Sequence, residues 1–72
     1  MAKITYQLST PTELKVDLYN LQGQRVRNLF QDFQFPGNHE MELSSRGLEG
    51  GTYLVRFQTG SSVLTRKVVI AE

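Results

Sequence analysis

Gly50-Gly51-Thr52-Tyr53-Leu54-Val55-Arg56-Phe57, the polar turn Thr59-Gly60-Ser61-Ser62, and Thr65-Arg66-Lys67-Val68-Val69-Ile70-Ala71-Glu72 decide the fold. Tyr53, Val55 and Phe57 alternate with Leu54, Arg56 and Gln58. Successive strand side chains point to opposite faces, so this period of two reads as a strand with one face on a core. The turn between the two runs is of the kind that joins adjacent antiparallel strands. Upstream, Leu14, Val16 and Leu18 alternate with Lys15, Asp17 and Tyr19, which places the aliphatic trio inward and the polar set toward water. His39, Met41 and Leu43 alternate with Glu40 and Glu42 in the same way. No segment carries apolar residues at helical spacing with good caps, so little or no helix is expected.

Punctuation between these runs fits many short strands. Ser9-Thr10-Pro11-Thr12 breaks a first strand, Asn20 and Gly23 mark a turn, and Phe35-Pro36-Gly37-Asn38 is a second turn in which proline presets φ. Ser44 to Gly51 forms a longer connection. The expected strands are 4–8, 13–19, 24–33, 38–43, 51–59 and 62–71, with 24–33 bent or bulged. There Val26, Leu29, Phe30 and Phe33 keep no clean alternation, and a bulge near Asn28 would bring Val26 and Leu29 to one face. Phe33 and Phe35 are expected to cover one end of the core. The reading is an all-β, Ig-like antiparallel β-sandwich of about seven short strands. Its core is assigned to Leu14, Val16, Leu18, Val26, Leu29, Met41, Leu43, Tyr53, Val55 and Phe57.

The 72 residues make one domain, and a chain this short buries only about 60% of its unfolded surface. Eight basic and seven acidic residues are interspersed, giving a net charge of +1. That is a mixed solvated surface without the basic stripe of a nucleic-acid binder. The longest apolar run, Val68 to Ala71, falls far short of the ~20 residues of a membrane helix, so no transmembrane segment is expected. Met1-Ala2-Lys3 is too short and polar for a signal peptide and reads as an added start, with the domain proper over 4–72.

Catalytic chemistry is scarcely represented. There is no cysteine, and His39 is the single histidine, on the face shared with Met41 and Leu43. Zinc needs three or four ligands that His and Cys cannot supply here, and no Asp-rich loop suggests calcium. Ser44-Ser45 and Ser61-Ser62 sit in turns, where hydroxyls bond nearby backbone, and no Gly-x-Ser-x-Gly elbow accompanies them. Gly47, Gly50 and Gly51 lack the spacing of a phosphate loop. No catalytic residue, metal or cofactor is expected. For sugar binding there is no tryptophan; Tyr6 shares a face with Ile4 and Leu8, Tyr53 faces the core, and Tyr19 faces outward. Arg56 is expected across from Arg66 on the solvent face, where charge keeps an end strand from pairing with other chains.

Five pieces of the chain, taken in order, resemble the type A C-terminal sorting domains of the type IX secretion system. They are Ile4-Thr5-Tyr6-Gln7-Leu8, then Tyr19-Asn20-Leu21-Gln22-Gly23-Gln24-Arg25-Val26, then Gly37-Asn38-His39, then Leu48-Glu49-Gly50-Gly51-Thr52-Tyr53, and the terminal Lys67-Val68-Val69-Ile70. Many relatives carry Pro or Ser where Gly50 stands, and Trp-Asp where Leu43-Ser44 stands. The resemblance implies a non-catalytic address at the end of a larger Bacteroidota protein. It implies transit through the periplasm, recognition by an outer-membrane translocon, and arrival at the cell surface or in the medium. A surface sortase that cuts near the domain's start is implied as a second partner, and the N-terminal cargo of the same protein as a third. On that basis Gly51, Tyr53, Lys67, Val68, Val69 and Ile70 are the expected recognition residues, with Asn20, Gly23, Pro36 and Gly37 as structural turns. A similar Ig-like shape occurs in a module of flagellar hook-capping proteins. A structural or linker module is therefore the alternative, and a carbohydrate-binding module the next.

Overall fold

In the computed structural model, which describes residues 2–71, the fold is all-β, with two antiparallel sheets facing each other as a sandwich. The six strands are β1 Ala2–Leu8, β2 Thr12–Tyr19, β3 Arg25–Gln34, β4 Gly37–Leu43, β5 Gly51–Gln58 and β6 Val63–Ile70. The count is six and not about seven: each of the six expected segments forms one strand, and no seventh is present among the described residues. Met1, the first residue of the expected added start, lies outside the described residues, while Ala2 and Lys3 already belong to β1.

One sheet pairs β1 with β4; the other has the order β3-β2-β5-β6. Every pairing is antiparallel and the connections are short, so β1, β3 and β5 run one way and β2, β4 and β6 the other. Residues 2 and 71 therefore emerge at the same end of the sandwich, beside the 20–24 turn and the 44–50 connection. The 9–11, 35–36 and 59–62 connections lie at the opposite end.

The core forms where the two sheets face. Ile4 and Leu43 come from the smaller sheet, and Leu14, Val16, Leu18, Val55, Phe57 and Ile70 from the larger. Ile4 and Ile70 are additions to the expected core. Leu29, Met41 and Tyr53 pack against it while only half-buried. Val26 leaves the expected core altogether, at 40% exposed. The cause is a pair of register breaks in β3. Val16 faces Phe30 while Asp17 faces Asn28, and Leu18 faces Arg27 while Tyr19 faces Arg25. Leu29 and Val26 are thus each left without a partner, and an extra residue re-aims the side chains on either side of it.

Phe33 and Phe35 do not cover the core. They stand 46% and 69% exposed and pack edge-on against each other, 5.2 Å apart. Phe33 lies opposite Glu13, a register that puts it on the outer face, and Phe35 lies beyond the end of β3.

The polar side of β2 also departs from expectation. Asp17 is 2% exposed and not solvated. Asn28 Nδ2 donates to its carboxylate at 2.8 Å, and Lys15 and Arg25 approach within 3.7 and 3.9 Å. A buried carboxylate is held by such hydrogen bonds and charges. Arg56 lies opposite Asp17 in β5, with its guanidinium 5.9 Å from the centre of the Tyr19 ring. Arg56 does not face Arg66: its partner in β6 is Thr65. Arg66 faces Val55, an inward register, and reaches across to β1, where Nη1 donates to Thr5 O at 2.7 Å.

Candidate functional site

The β5–β6 register gathers the expected recognition residues at one place. Gly51 faces Ile70, Thr52 faces Val69, Tyr53 faces Val68 and Leu54 faces Lys67. Alternation divides them by face. Ile70 is 4% exposed and locks the end of β6 into the core, with Val68 half-buried beside it. Lys67 is exposed on the opposite face, as is Val69 at 64%. Gly51 opens β5 with φ +147°, a conformation that side chains with a Cβ rarely adopt. Tyr53 is half-buried, and its hydroxyl donates to Glu49 O at 2.7 Å, tying the 44–50 connection onto β5.

The turn after β2 stands next to this group, because Tyr19 lies opposite Leu54. Asn20 organises it. Its Oδ1 accepts from the amides of Gln22 and Gln24, each at 3.0 Å, and its Nδ2 donates to Gln24 Oε1 at 3.0 Å. The Gly23 amide donates to Asn20 O at 3.1 Å, with φ +89° at Gly23. An asparagine that bonds the following backbone and a glycine that takes positive φ are what this turn requires. Between it and the start of β5 is a crevice of about 370 Å³, with Leu21, Val26, Leu48, Gly50, Gly51 and Tyr53 among its walls. Asn20, Gln22, Glu49 and Thr52 add polar groups to the lining, and Leu21 is 63% exposed beside them. Pro36 and Gly37 are not part of this arrangement; Gly37 lies opposite Leu8, at the far end of the sandwich.

Two side chains shape the surroundings: Arg27, which sequence reading passed over, and Arg66, which it placed on the solvent face. Arg27 pins the connection after β4, with Nη1 donating to Ser44 O at 3.0 Å and Nη2 to Arg46 O at 2.7 Å. Arg66 ties β6 to β1. Neither has a local signal, since the acceptors are backbone carbonyls far along the chain.

His39 is half-buried, stacks on Tyr6 at 5.4 Å, and donates from Nε2 to Phe35 O at 2.7 Å. It packs as expected, and its ring nitrogen is occupied by a turn carbonyl. Among the described residues no three His, Asp or Glu side chains cluster as metal ligands, and no helix is long and apolar enough to cross a membrane. Tyr6 lies against Phe57 at 5.2 Å as well as His39, and Tyr19 lies under Arg56. Neither ring stands free as a platform for a sugar.

Burial raises the Tyr6 pKa above the ordinary tyrosine value of about 10, with a hydrogen bond from Gln34 acting in the opposite direction. The folded state therefore holds the Tyr6 proton more tightly than the unfolded chain does. Below the unfolded pKa this costs nothing. As pH rises through it toward the folded pKa, the unfolded state gains by ionising and stability falls. The thermal midpoint is expected to decline above about pH 10, with a shallower decline in Tyr6→Phe. Superimposable midpoint-versus-pH curves for the two proteins would contradict this.

The family model for the secretion system C-terminal sorting domain matches residues 1–71. No curated protein and no solved structure matches the chain. The match spans the first strand, the Asn20 turn, the Gly51–Tyr53 element and the terminal strand together, so it rests on the whole sandwich. The chain belongs to the family of secretion system C-terminal sorting domains, those of type IX secretion.

Proposed function

We propose that this domain is a sorting address carried by a larger cargo protein and read at the end of the sandwich where β5 begins and β6 finishes. The reader in this proposal is the outer-membrane type IX translocon. The cargo passes through the periplasm and ends at the cell surface or in the medium, and a surface sortase removes the domain near its start. The domain serves as ligand and substrate in these steps and contributes no catalytic group.

The observation that carries this reading is convergence. The Asn20–Gln24 turn, the Leu48–Tyr53 element and Lys67–Ile70 are scattered in sequence and adjacent at one end of the fold. β6 is also an edge strand, with the unpaired backbone groups that strand addition uses. Lys67 and Val69 present an exposed side-chain pattern beside that edge.

Truncation is a poor test, since removing Lys67 to Glu72 also removes Ile70 from the core. The double substitution Lys67→Glu and Val69→Asp changes the exposed face alone. Exposed sites away from special features shift stability by only about 0.5 kcal/mol. A periplasm-targeted fluorescent protein carrying residues 2–72 at its C-terminus is expected outside the cell in a type IX-competent strain and inside in a translocon-deleted sibling. The double variant, with an unchanged circular dichroism spectrum, is expected to stay inside both. Retention of the unsubstituted fusion in the competent strain would sink the sorting reading and favour the structural module.

A further inference from the structure

The free edge of β1 carries chemistry that recognition at the β5–β6 end does not use. β1 pairs only with β4, and β6 only with β5, so each leaves an edge open. Thr5 lies opposite Glu40, yet its carbonyl is met by Arg66 from the β6 side, away from β4. In an antiparallel ladder the N–H and C=O of one residue point to the same side, and alternate residues reverse. The Thr5 N–H therefore also points off the edge, and Lys3 and Gln7 share its orientation. Ile4, Tyr6 and Leu8 turn theirs to β4.

Arg66 occupies the place of a strand. Its guanidinium lies 5.6 Å from the centre of the Phe57 ring and caps one carbonyl of the open edge. Leu64 lies opposite Phe57, an inward register, and is nevertheless 57% exposed, because nothing covers that side of the sandwich. A hollow of about 600 Å³ spans the paired strands next to this edge, lined by Thr5, Tyr6 and Gln7 of β1, Asn38, His39 and Glu40 of β4, and Arg66. Among the described residues Arg66 makes no ion pair, while Glu40 is engaged by Lys3 at 3.7 Å.

We propose that the β1 edge accepts an extended segment of a partner polypeptide as an added strand, bonded to the backbone of Lys3, Thr5 and Gln7, with Arg66 displaced from Thr5 O. Main-chain pairing supplies affinity in strand addition and alternate side chains supply selectivity. The fitting segment has an apolar residue toward Leu64 and a carboxylate for the released Arg66, which has no acidic partner of its own. A guanidinium–carboxylate contact is a stronger bond than the guanidinium–carbonyl contact it replaces. The β1 edge is distinct from the Gly51–Ile70 end, although Leu64 and Arg66 beside it belong to β6.

The test is a titration of the isotope-labelled domain with a synthetic peptide of β1's length, alternating threonine and valine about a central glutamate. At millimolar peptide the Lys3, Thr5 and Gln7 amides are expected to shift and to exchange with solvent about tenfold more slowly, while Ile4 and Tyr6 stay unchanged. Thr5→Pro should abolish the response. Its lost N–H points off the edge, where proline is tolerated, so the β1–β4 ladder survives. Glu40→Pro, at the matching position on the opposite edge, should leave the response intact. Arg66→Ala, which exposes Thr5 O without touching the backbone, should tighten binding of the peptide with valine in place of glutamate. No response at β1, or a response at β6 or β3 instead, would overturn the proposal. Protection of the same amides without peptide, rising with protein concentration, would make a second copy the occupant and overturn the partner assigned here.

Discussion

Leu18→Ala is expected to remove a large share of the domain's stability. Leu18 is wholly buried, between β3 and β5 in the larger sheet and in contact with a core that draws on both sheets. Truncating such a leucine costs about 2–5 kcal/mol through lost transfer energy and the cavity left behind. At roughly 0.05–0.15 kcal/mol per residue, a chain of 72 residues has only about 4–11 kcal/mol in total. A domain this size loses about 4–8 °C of melting temperature per kcal/mol, so a fall of more than about 10 °C is expected in a calorimetric scan. Leu21→Ala is the matched control, since Leu21 is 63% exposed at the mouth of the crevice. It should change stability by no more than about 0.5 kcal/mol. Equal melting temperatures for the two variants would mean that the core does not lie where the sheets face.

Gly51→Ala is expected to separate folding from recognition. A Cβ built on Gly51 meets nothing within 4 Å, so alanine causes no clash. The cost is conformational: φ +147° lies in a region open in practice to glycine alone, where strain is of order 1–3 kcal/mol. The variant should retain an all-β circular dichroism spectrum in the cold and melt earlier than the unsubstituted domain. Its start of β5 must rotate toward an ordinary strand conformation, which moves one wall of the crevice beside Leu48 and Tyr53. In the reporter assay, run where the variant is folded, export is expected to drop by at least an order of magnitude, about 1.4 kcal/mol of lost recognition. Undiminished export would confine Gly51 to shaping the turn.

Local patterns made much of this fold legible in the chain itself. The alternation in β2, β4 and β5, the Thr59–Ser62 turn and the Asn20 turn all depend on residues a few positions apart. Their physics is complete within a short window. Co-location of Gly51, Tyr53 and Lys67–Ile70 was legible for the same reason, since the β5–β6 hairpin brings them together directly. The features that could not be read depend on distant partners. The carboxylate of Asp17 is buried because β3 bulges opposite it and supplies Asn28 and Arg25. Arg66 looked like a solvent-facing charge because its acceptor, Thr5 O, is 61 residues away. The two register breaks in β3 swung Val26 out of the core, and the register of Phe33 with Glu13 turned that ring outward. Hydrophobicity alone assigned both residues to an interior that the pairing geometry denies them.

The shared position of residues 2 and 71 at one end of the sandwich determines how the domain responds to mechanical load. A pull between the two ends acts across the strands and not along them. β1 is then drawn away from β4 at the Ala2–Leu43 pair, and β6 from β5 at the Gly51–Ile70 pair, so that the ladder bonds open one after another like a zipper. A sandwich loaded at opposite ends of its strands must instead shear many bonds at once. Tension along the polypeptide would therefore dismantle this domain at low force, from the same end that carries the Asn20 turn and the start of β5.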